Sequence, residues 1–106
     1  MSSALLAVIA EPRRQEILRL VWDGERRAGD IAGEMDVTFG AVSQHLRVLR
    51  EAGAVTVVKR GRERWYRADK RALGPLAQHL SQLWRSQLHN LKHAAEAEER
   101  RRHGKR

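Results

Sequence analysis

Between Thr38 and Gly53 the chain reads TFGAVSQHLRVLREAG, and no other stretch limits the possible folds as tightly. Val42, Leu46 and Leu49 recur at spacings of four and three, which puts them on one stripe of a helix. Ser43, Gln44, Arg47 and Arg50 then fall largely on the other side, where short polar and long cationic groups can reach base edges and phosphates. Thr38 carries a hydroxyl suited to capping the first turn, and Gly53 supplies the left-handed residue that ends a helix. A helix buried on one side and armed with hydrogen-bonding groups on the other is how a recognition helix is built.

The flanking segments extend this reading. Ile31, Ala32 and Met35 give a short amphipathic helix, and Asp36-Val37-Thr38 is a tight connection into the next one, so a helix-turn-helix is expected. After Gly53 the pattern changes to Val55-Thr56-Val57-Val58, then a basic turn containing Gly61, then Arg64-Trp65-Tyr66-Arg67-Ala68. Two β-branched or aromatic runs around a glycine predict a hairpin. A helix-turn-helix followed at once by a basic hairpin is a winged helix.

Glu11 through Leu18, the Ala41 to Gly53 run with its V-S-x-H-L-x-x-L-x-x-A-G core, and Arg62 through Arg67 together resemble the ArsR/SmtB family of bacterial winged-helix repressors. The resemblance runs over roughly residues 4 to 70 and implies a homodimer, double-stranded operator DNA, and repression relieved by a signal. Four positions depart from the family pattern. Glu11 replaces the usual Asp before Pro12 and is a poorer cap; Ala28 stands where a Ser or Thr opens the first helix of the DNA motif. Phe39-Gly40 replaces a polar residue and a Pro or Ser, so one base contact is missing or apolar.

Length and charge agree. With 106 residues there is room for one domain, whose small core would gain a large share of its buried apolar surface from dimerisation. The net charge of +8 favours a polyanionic partner. The absence of cysteine excludes disulfides, thiolate metal sites and thiol redox sensing from this chain. Ala4 to Ala10 superficially resembles a secretory core, but no basic residue precedes it; it is read as a first helix, with a cytoplasmic location and no membrane partner.

Further along, a break at Glu11-Pro12 precedes a second helix from Arg13 to about Trp22, with Leu18, Val21 and Trp22 inward and Asp23-Gly24 ending it. A long helix is expected from Lys70 or Arg71 to about Glu98, because Leu73, Leu76, Leu80, Trp84, Leu88, Leu91 and Ala95 form one apolar stripe that needs a partner. The expected architecture is therefore mainly α with a small β-hairpin. Residues 1–99 form the winged helix-turn-helix and its long C-terminal dimerisation helix; 100–106 form a disordered basic tail.

The residues assigned to DNA are Thr38, Phe39, Gly40, Ser43, Gln44, His45, Arg47 and Arg50 on the recognition helix and Arg60, Arg62 and Arg64 on the wing. Those assigned to the dimer interface are Leu5, Leu6, Ile9, Leu76, Leu80, Leu83, Trp84, Leu88 and Leu91. Strand alternation sets Tyr66 opposite Trp65 and Arg67, making Tyr66 a core residue and leaving Trp65 either to touch a sugar or to cover the sheet.

No cofactor is expected. Zinc-sensing members of the family bind metal across the C-terminal helices with Asp, His and Glu ligands; here His79, His89, His93 and Glu96 lie on that helix. His89 and His93 are one turn apart, yet no Asp lies two residues before His79 and the spacings do not match, so a zinc or nickel sensor is the alternative and not the main reading. A nucleoid-type protein without sequence preference is the other alternative. Enzymatic activity is excluded by the motifs: Ser43 and His45, two apart on a helix, do not face one another, and neither a P-loop nor a dinucleotide fingerprint occurs.

Overall fold

The computed structural model describes residues 3–86. The described residues through Gly74 form one compact unit, and 75–86 belong to a second. In the first unit the order is α1 (Ser3–Ala10), α2 (Pro12–Leu20), β1 (Arg26–Arg27), α3 (Ala28–Glu34), α4 (Phe39–Glu51), β2 (Val55–Arg60), β3 (Glu63–Ala68) and α5 (Lys70–Leu73).

The core follows from the helix stripes. Ile17, Leu18 and Val21 from α2 and its C-cap, Ile31 from α3, Val42, Leu46 and Leu49 from α4, and Leu73 from α5 are all fully buried. Each such side chain contributes about 1.5–3 kcal/mol on leaving water. Because α4 packs against α2, α3 and β2, its three inward residues lie at the centre of this core.

Caps set the helix boundaries. Glu11 has extended backbone and its carboxylate accepts a 2.9 Å hydrogen bond from the Arg14 amide, with Pro12 opening α2. The longer acidic side chain therefore caps despite replacing Asp. Burial pushes the Glu11 pKa up, but the Arg14 and Arg13 amides and the charges of His45 and Arg14 outweigh it, leaving the carboxyl below its ordinary value. Ahead of α3, Arg27 occupies the cap position and gives no side-chain cap bond, as the lack of Ser or Thr there implied. Thr38 caps α4 through a 3.1 Å bond from the Ala41 amide. At the other end Gly53 takes φ +83°, its amide donates to the Arg50 carbonyl and the Ala54 amide to the Leu49 carbonyl; this paired closure is a Schellman motif.

Two expectations are corrected. The hairpin is part of a three-stranded antiparallel sheet of order β1-β3-β2, since Arg26 and Arg27 pair with Tyr66 and Trp65. The β2–β3 pairing, with Arg60 opposite Glu63 around Gly61 at φ +63°, is the expected hairpin. The long helix from Lys70 is interrupted: α5 stops at Gly74, whose φ of +58° leaves the helical region, and the chain is helical again over 75–86. Pro75 cannot continue α5, because it has no amide hydrogen to donate, but it suits the start of a new helix. On that helix Ala77, Leu80 and Trp84 are buried and Leu83 is exposed. The remainder of the stripe, Leu88, Leu91 and Ala95, and the basic tail lie outside the described residues.

Candidate nucleic-acid interface

With Val42, Leu46 and Leu49 turned inward, the 100° step of the helix fixes where every other α4 side chain points. Phe39, Arg50, Ser43, Arg47, Gly40, Glu51 and Gln44 follow one another around an arc of about 140° that begins at the edge of the buried stripe, beside Leu46, and runs round to the far side. All are exposed except Ser43, which is half-buried. Thr38 stands exposed at the head of the helix. His45 is placed differently from the other expected contacts. It lies on the flank of α4 toward α2, with Nδ1 4.0 Å from the Glu11 carboxylate, and is only 24% exposed.

Strand alternation divides the wing cations. Arg64 pairs with Lys59 in the ladder and shares a face with Tyr66, whereas Arg60 shares the opposite face with Trp65 and Arg27. Arg64, Tyr66, Phe39 and Ser43, with Ala28 and Gly29 of α3, line an open groove of about 340 Å³ between the start of α4 and the wing. Tyr66 is thus half-buried at a groove wall and is not a pure core residue.

The outer wing face is held by charge. The Arg60 guanidinium lies 3.0 Å from the Glu25 carboxylate and 5.7 Å from the centre of the Trp65 ring. Arg60, expected at DNA, is thus also engaged within its own chain. Arg62 and Arg64 are exposed and make no ion pair among the described residues. Arg27 donates to Asp30 at 3.1 Å and to Glu63 at 2.8 Å and lies 5.2 Å above Trp65. These carboxylates push the Arg27 pKa further up, through hydrogen bonds first and charge second. The hydrogen bond from Arg27 lowers that of Asp30 against a smaller desolvation effect. Trp65 thus covers the sheet beneath two guanidinium groups. Neither β1 nor the Arg27 brace had a signal in the sequence, because two adjacent arginines carry no strand or core pattern.

The bacterial regulatory protein, arsR family, model matches residues 11–57, a span covering α2 through the start of the wing. An ArsR-like transcriptional regulator from Rhodococcus superposes with a TM-score of 0.65 at 30% identity, covering 88% of this chain and 91% of its own. The chain belongs to the ArsR family. Among curated relatives, the transcriptional repressor SdpR of Bacillus subtilis is 33% identical over 55% of this chain and 64% of its own length, so the chain spans less than two thirds of that relative. The homodimeric winged helix-turn-helix DNA-binding domain of a possible ArsR-family regulator from Mycobacterium bovis is 25% identical, with a TM-score of 0.65 over 86% of this chain and 82% of its own. This ArsR-family chain is accordingly a DNA-binding transcriptional regulator with a winged helix-turn-helix, and its relatives are regulators and not enzymes.

The geometry of Arg27 predicts how the wing is held. Lysine keeps the charge at that position but loses the planar fork that reaches two carboxylates at once. Arg27→Lys should leave the thermal midpoint nearly unchanged while amide hydrogen exchange at the β1–β3 pairing speeds up. Parent-like exchange there would show that the backbone ladder alone holds β1.

Proposed function

We propose that this ArsR-family regulator is a cytoplasmic homodimeric repressor that reads an operator with α4, steadies itself on the flanking backbone with the wing, and does not depend on a metal. The observation that carries the reading is the outer arc of α4, where Ser43, Gln44, Arg47 and Arg50 stand free of the core on a helix whose rotation is fixed by burial. Two such helices, one from each subunit, would enter successive major grooves of a near-palindromic site and block promoter access. Arg62 and Arg64 are the wing cations left available for phosphates, while His45 and Arg60 support the scaffold.

Several observations support the finer points. SdpR, a relative, is a repressor, and the Mycobacterium bovis neighbour is homodimeric. No described helix is long and apolar enough to cross a membrane. His89 and His93, the alternative metal pair, lie outside the described residues. Of the described residues assigned to the dimer interface, Leu5, Ile9, Leu80 and Trp84 are buried, Leu76 is half-buried, and Leu6 and Leu83 are exposed at 45% and 42%. Among the described residues of that set, surface that a partner can still remove from water therefore resides on Leu6 and Leu83 and in part on Leu76.

Readout is tested by Ser43→Ala combined with Gln44→Ala. One bidentate glutamine–adenine contact is worth about 1–3 kcal/mol. The double variant should bind random DNA as the parent does while losing about tenfold or more in affinity for a duplex recovered by in vitro selection. An unchanged ratio would mean that α4 is not the reader; a parent that prefers no sequence would point to nucleoid-type coating.

Assembly is tested by Leu83→Asp. A carboxylate forced into a covered apolar face has no counter-charge and costs several kcal/mol. The variant should sediment as a folded monomer at concentrations where the parent is dimeric. Survival of the dimer would place the interface elsewhere.

A further inference from the structure

Phe39 is the chain's single phenylalanine and, at 59% exposure, its most exposed large apolar side chain among the described residues. It sits at the first position of α4, directly after the Thr38 cap, at the head of the line that Val42, Leu46 and Leu49 continue, yet unlike them it is left exposed. Aromatic residues are mediocre helix formers, so the ring contributes nothing to starting the helix that a small residue would not. Beside it Gly40 carries no side chain, and a Cβ built there meets nothing within 4 Å, so the backbone next to the ring is open to a close approach.

The surroundings of the ring indicate what covers it. Phe39 shares its groove with the Ser43 hydroxyl and the Arg64 guanidinium, and Gln44, Arg47 and Arg50 continue along the same outer arc. Tyr66, Arg27 and Glu63 also line the groove, with Tyr66 half-buried and Phe39 the exposed ring; an exposed ring among these polar groups, on a chain of net charge +8, is matched to a polyanion that offers one apolar spot. The major groove of DNA offers such a spot in the thymine C5-methyl, which no other base carries.

We propose that Phe39 is a specificity-determining residue that packs its ring against a thymine C5-methyl in each half-site, while Ser43 and Gln44 read the neighbouring base edges. The inference rests on the operator-binding reading above and goes beyond it by naming the base group recognised. It also fixes an order of preference at that base: thymine and 5-methylcytosine above uracil and cytosine, because the methyl and not the Watson–Crick identity is what the ring touches.

The test uses the full chain and a duplex recovered by in vitro selection, with each thymine replaced in turn by deoxyuridine, which removes the methyl and nothing else. With the parent, one position per half-site should weaken binding about fourfold, the value of one buried methyl-sized group. In Phe39→Ala that penalty should vanish, and in Phe39→Leu, which keeps an apolar side chain, part of it should remain. Placing 5-methylcytosine at that position should bind more tightly than cytosine in the parent only. Operator preference intact but a flat uracil scan in the parent would overturn the methyl contact and leave the operator reading standing. A uracil penalty that persists unchanged in Phe39→Ala would assign the methyl to another side chain and equally overturn the proposal. A parent with no preference between the selected duplex and random DNA would bring down both. If Phe39→Ala does not fold, Phe39→Leu carries the same comparison: a reduced penalty supports the contact and an unchanged one overturns it.

Discussion

Burial of Val42, Leu46 and Leu49 is the constraint on which the other features of the interface depend. These three side chains fix the rotation of α4 about its axis, and a helix has no freedom to turn some residues outward without turning others in. The exposure of Gln44, Arg47 and Arg50 is therefore a consequence of packing, as is the placement of His45 against Glu11. The Schellman closure at Gly53 carries that orientation into β2, because the Ala54 amide returns to the Leu49 carbonyl and the Asp69 amide then bonds the Ala54 carbonyl.

The wing is attached by a different kind of force. Its outer face is tied to the start of α3 by Arg27, Asp30 and Glu63 and to the loop before β1 by Arg60 and Glu25. Exposed ion pairs taken singly are worth little, about 0–1 kcal/mol. Here two guanidinium groups share one indole ring and their carboxylates sit on different elements, so the pairs act as a network with defined geometry. A rigid helix joined to a wing held by polar bonds gives one element that can discriminate bases and a second that can adjust to the backbone.

Much of this was legible in the sequence because it is periodic or punctuated. The α4 stripe, the Thr38 cap, Gly53 and the hairpin about Gly61 all obey local rules, and the structure places each where those rules do. What escaped depends on partners distant in sequence. β1 is two arginines long and exists because β3 supplies its ladder and Glu63 its counter-charge. Arg60 and Arg64 look alike as letters, yet strand alternation sends them to opposite faces and only Arg60 meets Glu25. The break at Gly74-Pro75 was visible in the sequence; the leucine spacing, which runs through it undisturbed, hid a stop signal that local chemistry supplies.

The central claim is that the outer arc of α4 is the surface that meets DNA. It is tested most directly by titrating isotope-labelled full chain with a duplex recovered by in vitro selection and following backbone amide shifts. The account predicts the largest changes along Phe39–Glu51, concentrated at Phe39, Gly40, Ser43, Gln44 and Arg47, with a second group around the Gly61 turn at Arg62 and Arg64. Changes confined to the Trp65 face of the wing or to the helix over 75–86, with α4 silent, would contradict it.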